Sequence, residues 1–170
     1  ASRHNKRWMP NVSLQIGDEI IRPSTSVRNL GVIFDNEMNM AQQVISLSKN
    51  ITYHLRNITR IRRFLDHERC NHIIHSLVLS RLDYGNALLV GSNTKYITQL
   101  QRLQNWSAKI IFKASKYDHV SQYLQELHML PVNKRIMFKM LMYVFKCLNG
   151  SGPRYLTSSL SVYTQSHYTL

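Results

Sequence analysis

Three segments of this sequence carry Lys and Arg at spacings that place them on one side of a helix. At about 100° per residue, each set falls within one sector of its helix. Cations in such a row can bind phosphates, arginine in bidentate fashion and lysine as a mobile point charge. The first row contains Lys49, Arg56, Arg60 and Arg63, with Tyr53 at its border; the second contains Lys95, Arg102, Lys109, Lys113 and Lys116, with Trp106 at its edge; the third contains Arg135, Lys139 and Lys146.

Each row alone has an alternative interpretation as the solvated side of an amphipathic helix. Solvated faces normally mix both charges, whereas no acidic residue lies between Asp83 and Asp118. The chain has 22 Lys and Arg against 9 Asp and Glu, a net charge of +13, which favours polyanionic partners. The set of rows therefore predicts contact with nucleic acid. Trp106 either stacks on a base or sugar, or fills a gap against a neighbouring helix.

No residue pattern predicts catalysis, a bound metal or a small-molecule substrate. Two-metal phosphoryl transfer needs clustered carboxylates, and Asp35 and Asp83 each stand alone. Asp83 is expected to fix a helix end or to pair with Arg81. The segment that holds His67, Cys70, His72 and His75 lacks the usual spacing of zinc ligands. Phosphate loops, nucleophile elbows and HExxH sequences do not occur either.

Composition sets the class of protein. A chain of 170 residues, 44% of them hydrophobic, can form a compact domain with a real core. Two cysteines are too few for a disulfide framework and favour a reduced, intracellular setting, in the nucleus or the cytoplasm. No stretch approaches the about 20 apolar residues that cross a bilayer, so no membrane partner is expected. The chain starts with Ala1 and without a signal peptide, and we expect it to be a fragment of something longer.

Residues 1–36 are predicted to form a short β element. The alternation at 12–16 and the turn residues Gly17–Asp18 predict a hairpin with 19–22, and the apolar run Leu30–Phe34 predicts a further strand.

From Met40 onwards the apolar residues recur at helical spacing, which predicts a helical domain over 37–150. The cap signals predict a helix to about Leu65, one from Asp66 to about Gly85, one that Asn93 or Thr94 caps, a short one at 120–127, and one that Asn133 caps and Asn149–Gly150 end. The tail, 151–170, lacks a clear period and is expected to be loosely held. The predicted fold is mainly α: a short N-terminal β element followed by a four- to five-helix bundle.

Six phrases occur along the chain in a specific order and spacing. They are NLGVIFD (Asn29–Asp35), HLRNI (His54–Ile58), SRLDYGNALL (Ser80–Leu89), LQRLQNWSAKII (Leu100–Ile111), LHMLPVNKRIMFK (Leu127–Lys139) and LNGSGPRYL (Leu148–Leu156). The series resembles the part that follows the polymerase active site in reverse transcriptases of non-LTR (LINE-type) retrotransposons. It starts near Ser2–Asn5, similar to the end of the palm, and covers most of the chain. Trp106 and Gly85 depart from the family, which more often has a small residue and Cys at those positions.

The resemblance implies that the helical domain is a polymerase thumb and that residues 1–36 end the palm and hold the primer grip, with Leu30 and Gly31 matching that motif. The parent would be an RNA-directed DNA polymerase that serves transposition. The expected partners are an RNA–DNA hybrid or DNA duplex and the remainder of the polymerase chain. The catalytic aspartates and their magnesium would belong to the missing palm, so this chain alone is predicted to be inactive.

The residues leave two alternatives open. One is a non-catalytic nucleic-acid-binding remnant, and the other is a helical interaction scaffold whose basic rows bind acidic proteins. For Leu30 and Gly31, the alternative is an ordinary buried strand with a glycine where space is tight.

Overall fold

The computed structural model describes residues 13–161. Within this range two β-hairpins precede a series of helices, so the predicted mainly α fold with a short β element at its start is confirmed. The chain divides into two compact units, and the division lies between Gln43 and Val44.

The strands are β1 (Leu14–Ile16), β2 (Glu19–Ile21), β3 (Ser26–Asn29) and β4 (Val32–Asp35). The helices are α1 (Ala41–Ile61), α2 (His67–Ile74), α3 (Ser80–Asp83), α4 (Thr94–Phe112), α5 (Ser121–Glu126), α6 (Val132–Leu148) and α7 (Arg154–Thr157). Short 3₁₀ turns follow α1 (Arg62–Phe64) and α3 (Asn86–Leu89), and a π-helical turn, His75–Leu79, joins α2 to α3.

The first unit contains two antiparallel hairpins. Leu14 pairs with Ile21 in the first hairpin, which confirms the predicted turn at Gly17–Asp18. In the second hairpin Ser26 pairs with Asp35 and Asn29 with Val32. The predicted strand Leu30–Phe34 was wrong at its start, because Leu30 and Gly31 form the turn between β3 and β4.

The capping residues of two helices follow the sequence prediction. The Asp66 carboxylate accepts a hydrogen bond from the Arg69 backbone N–H at 2.7 Å, at the start of α2. Asn93 does the same for the Lys95 N–H at 2.9 Å, so Asn93 rather than Thr94 caps α4. The prediction was wrong for Asn133, which lies inside α6, because Pro131 precedes the first helical residue, Val132.

The core of the second unit is built from apolar residues of α1, α2, the π-helical turn and α4. Ile51, Leu55, Ile74, Val78, Leu100 and Ile111 are completely buried. The fully buried Gln104 amide donates to the Leu130 carbonyl at 2.9 Å, and the Gln101 carbonyl oxygen accepts from the Val132 N–H at 2.8 Å. Two amides of α4 thus fix the start of α6.

The end of α6 is closed by a glycine, as predicted. Gly150 has φ +71°, and the Ser151 N–H returns to the Lys146 carbonyl at 2.8 Å. The expectation of a loosely held tail stays a prediction, and the first part of the tail contains the short helix α7. The helix α7 contacts α6, and Gly152 lies so close to Cys147 that a Cβ there would stand 2.6 Å from its sulfur. The last residues, 162–170, lie outside the described range.

Candidate nucleic-acid interface

Most of the first predicted row lines one groove along α1. Lys49, Tyr53, Arg56 and Arg60 border a depression of about 580 Å³. The other residues that line it are Ile45, Ser48, Thr52, Asn57 and Gln99. No carboxylate is among them, so three cations and several hydrogen-bonding groups face an open surface.

Arg63 departs from this row. It belongs to the 3₁₀ turn after α1, and its guanidinium carbon lies 4.5 Å from the centre of the Phe64 ring. Because the chain has left the α-helical path at this point, the spacing that aligned Arg63 with Arg60 no longer applies.

The second row lines a larger groove of about 720 Å³, formed by α1 and α4. Its walls contain the cations Arg62, Arg102, Lys109, Lys113 and Lys116, together with Thr59, Asn105, Trp106, Ile110 and Ala114. Lys95, in the first turn of α4, is exposed but is not among these residues. Trp106 is half-buried, so its indole both packs against the helices and borders the groove.

The second row was predicted to lie on one continuous helix, and this prediction was wrong. The helix α4 ends at Phe112, and Lys113 has a left-handed conformation with φ +52°. The chain then folds back, and the Lys109 ammonium donates to the Lys116 carbonyl at 2.6 Å. Since a carbonyl carries no net charge, Lys109 remains a positive group on the wall of the groove. Lys113 and Lys116 reach the same groove from a turn rather than from the helix.

Arg62 joins α1 to α4 and was missed by the sequence interpretation. Its guanidinium is buried and donates to the carbonyls of Ile110 at 2.7 Å, Ile111 at 2.5 Å and Leu65 at 2.6 Å. Two of these acceptors are carbonyls of the last turn of α4, and the Ile110 carbonyl also accepts from the Lys113 N–H at 3.2 Å. No local pattern indicates this contact, because Arg62 stands next to the exposed Arg63 in an uninterrupted basic pair.

The helices α1 and α4 contact each other at two levels, in the same order along both. Near the start of both, the Gln99 amide donates to the Ser48 hydroxyl at 2.8 Å, and near the end of both, Arg62 donates to Ile110 and Ile111. Helical spacing then places the exposed cations of both helices on the side opposite the core. We call this side the α1–α4 surface. It comprises Lys49, Tyr53, Arg56, Arg60, Arg102, Trp106, Lys109, Lys113 and Lys116.

The third row is divided by an ion pair. The Arg135 guanidinium donates from Nε to Oδ1 of Asp83 at 2.8 Å and from Nη2 to Oδ2. Asp83 therefore pairs with Arg135 rather than with Arg81, which donates to the Leu77 carbonyl instead. Lys139 is half-buried and Lys146 is exposed on α6, and neither lines the grooves described above.

Leu30 and Gly31 form the tip of the β3–β4 hairpin. Both have positive φ, +46° for Leu30 and +81° for Gly31, as in the turns that match the twist of two-residue hairpins. The Leu30 side chain is 84% exposed, so the interpretation of this segment as an ordinary buried strand was wrong.

The histidines and cysteines that the structure describes are not grouped as metal ligands. Within residues 13–161, no group of three or more His, Cys, Asp or Glu side chains is placed to hold a metal ion. Burial raises the pKa of the Cys70 thiol, and the nearby charges of Arg62 and Lys113 offset this only in part. Burial also lowers the pKa of His54 and His75, with Arg81 and Arg135 respectively adding to the effect.

The fold and this surface define a mainly helical protein with two basic grooves that no carboxylate lines. No protein-family model matches the chain, and searches among curated proteins and solved structures found no match. None of the helices described is long and apolar enough to span a bilayer.

Proposed function

We propose that the α1–α4 surface binds the sugar–phosphate backbone of nucleic acid. The observation that carries the proposal is that eight cations, the seven of this surface and the buried Arg62, line two grooves that no carboxylate lines. Neither α1 nor α4 contains an acidic residue, so nothing on these helices neutralises the charge. Release of counterions from the phosphates would drive binding to such a surface.

The resemblance of the sequence to non-LTR reverse transcriptases suggests what this binding is for. The chain would be the thumb-like part of a non-LTR retrotransposon reverse transcriptase, and it would position an RNA–DNA hybrid or DNA duplex for the palm. Contacts to phosphates rather than to bases suit a polymerase that must copy any sequence. The aspartates and the magnesium of that reaction would belong to the palm, and this chain would supply position only.

The tip of the β3–β4 hairpin is the proposed primer-grip-like element. An exposed leucine with positive φ is unfavourable by about 1–2 kcal/mol for an L-residue, and such strain is found preferentially at functional sites. A hairpin tip can approach a strand end closely because Gly31 lacks a side chain.

The exposed apolar side of α6 is an argument that the remainder of a polymerase chain is a partner. Met137, Phe138, Leu141, Phe145 and Leu148 recur along one side of this helix and are more than half exposed. A helix that is apolar on both its inner and its outer side is normally buried. Packing against other parts of a polymerase would cover this side.

An anisotropy titration with a labelled primer–template tests the binding proposal. Replacing Arg56, Arg60, Lys109 and Lys113 with Gln should weaken binding by more than about tenfold at low salt, because about four phosphate contacts lose their cation. A matched control replaces the exposed cations Arg28, Arg69, Lys134 and Arg154 with Gln, which changes the net charge equally at other places. The control should bind within about threefold of the unchanged chain.

Equal losses in the two variants would show that total charge, rather than the α1–α4 surface, determines affinity. Salt dependence separates the alternatives. Contact with about six phosphates lowers affinity roughly 10³-fold between 50 and 200 mM salt. An interaction scaffold for acidic proteins would instead prefer an acidic polypeptide to the primer–template. The resemblance implies that the catalytic aspartates lie in the palm. Nucleotide incorporation by the purified chain would therefore contradict the proposal that this chain only positions nucleic acid.

A further inference from the structure

We infer that the larger groove between α1 and α4 binds an unpaired segment of nucleic acid, with one base against Trp106. The inference rests on the proposed function, because it specifies which form of nucleic acid this part of the α1–α4 surface takes. The unpaired strand can be DNA or RNA, since the groups that line the groove suit a base face and phosphates, which both share.

The groove is large enough to hold a nucleotide. Its volume of about 720 Å³ lies within the range of about 300–1,000 Å³ that is usual for pockets that enclose small ligands. Trp106 borders this space and is half-buried, so the helices hold the indole while part of its surface faces the groove. A held aromatic ring at the side of a basic groove is the arrangement on which unpaired bases stack.

The cations lie where the phosphates of a stacked nucleotide would be. Arg102 precedes Trp106 by four residues and Lys109 follows it by three, so all three lie on one side of α4. Arg102 and Lys109 are separated by about 10 Å along the helix axis. A base against the indole therefore has a cation on each side for its two flanking phosphates. Lys113 and Lys116 add positive charge at the far end of the groove.

The interior of a duplex cannot use Trp106 in this way. Each base inside a duplex has its faces covered by its neighbours and its pairing edge covered by its partner, so only the two end pairs offer a face to the indole. A duplex would contact only the outer cations, whereas an unpaired strand gains those contacts and the stacking together.

The walls of the groove are fixed before a ligand arrives. Arg62 connects the ends of α1 and α4 through three carbonyls, and the Lys109 ammonium holds the following turn through the Lys116 carbonyl. A preformed site loses less conformational freedom on binding than a flexible one. These contacts therefore favour a groove that keeps its shape.

Fluorescence and anisotropy test the inference together. The chain has two tryptophans, and replacing Trp8, which lies outside the described residues, with Phe leaves Trp106 as the only indole. We expect 12-nucleotide oligo(dT) and oligo(rU) to quench the fluorescence of this W8F chain on binding, and a duplex of about 60 bp, in which the end pairs are a small share of the sites, to bind with little quenching. In anisotropy, W106L should weaken oligo(dT) binding about tenfold and leave duplex binding within about twofold, whereas W106F should keep most of the affinity.

The outcomes separate this inference from the proposed function. If no nucleic acid binds at low salt, both fail. If duplex and oligo(dT) bind while the oligonucleotides leave Trp106 fluorescence unchanged, the inference fails alone. Equal losses of duplex and oligo(dT) affinity in a folded W106L chain would likewise overturn it. Should W106L not fold, the fluorescence of the W8F chain and the affinity of W106F still decide the question.

Discussion

Arg135 and Asp83 form a two-pronged ion pair that joins residues 52 positions apart, at the end of α3 and in α6. The Arg135 side chain is only 18% exposed and that of Asp83 is 38% exposed, so water screens the pair less than it screens pairs on the surface. Asp83 also accepts from the Asn86 amide at 3.3 Å. The pair therefore connects α6 to the turn that follows α3.

Removal of the Asp83 carboxylate should destabilise the second unit. In D83N the largely buried guanidinium of Arg135 loses its charged partner, and the free energy of unfolding should fall by about 1–3 kcal/mol. Urea denaturation followed by circular dichroism measures this change. R69Q serves as the control, because Arg69 and Asp66 form an exposed pair at 3.4 Å that should contribute less than about 1 kcal/mol. Equal effects of the two variants would contradict a special role for the Arg135–Asp83 pair.

Replacement of Arg62 should destabilise the chain by a different route. R62M leaves the carbonyls of Ile110 and Ile111 without the donor that Arg62 provides, and about 3 kcal/mol of unfolding free energy should be lost. R62K should recover part of the loss, since an ammonium can reach some but not all of the three carbonyls. The neighbouring R63Q should cost less than about 1 kcal/mol, because Arg63 only contacts the exposed Phe64 ring.

Gly152 should tolerate no side chain. A Cβ at this position would stand 2.6 Å from the Cys147 sulfur and 2.7 Å from the Cys147 Cα, and the second of these atoms cannot move aside without a shift of α6. G152A should therefore lower the thermal midpoint, with a loss of about 1–3 kcal/mol from overpacking. S151A, one residue earlier, is the matched control. A midpoint for G152A equal to that of S151A would show that the tail does not pack as described.

Stability should fall as the pH is lowered through the range in which histidine titrates. Burial is the main cause that lowers the pKa of His54 and of His75 below the ordinary value of 6.5. The charge of Arg81 lowers the pKa of His54 further. The charges of Arg135 and His72 lower the pKa of His75 further, and the Asp83 carboxylate raises it in part. The unfolded chain therefore binds protons at a higher pH than the folded chain does, and the unfolding free energy decreases as the pH falls below about 6.5.

Thermal melts at pH 7.5 and 5.5 measure this dependence, and H54Q/H75Q should reduce it. The exposed His119 provides the control variant H119Q, which should keep the dependence of the unchanged chain. A midpoint that does not change between the two pH values would rule out this role for His54 and His75.

The starts and ends of several helices were predicted correctly from residues close together in the sequence. Asp66 and Asn93 cap their helices, and Asn149–Gly150 end α6, because a cap depends on a residue and the next three or four positions. The turn at Leu30–Gly31 was missed for a related reason. Its residues lie inside an apolar run, and leucine is unusual at positive φ, so the run indicated a strand.

The contacts at the site between residues far apart in the sequence could not be predicted. The pairing of Arg135 with Asp83 and of Arg62 with the end of α4 depends on how the helices pack, which no local pattern specifies. The row through Lys113 and Lys116 failed because it assumed a helix beyond Phe112. The rows on α1 and on α4 up to Lys109 follow from helical spacing alone, and apart from Arg63 and Lys95 their members line the two grooves described above.

The C-terminal ends of α1 and α4 lie beside each other, which has an electrostatic consequence. The partial negative charges of the two helix ends, about half an elementary charge each, are therefore close together near Phe112. Arg60, Arg62, Lys109 and Lys113 stand at those ends, and part of their charge is therefore used within the folded chain itself. A phosphate that approaches this end is attracted by the cations and repelled by the negative helix ends. Loss of one cation here would therefore reduce the net positive charge by a larger fraction than the number of cations suggests.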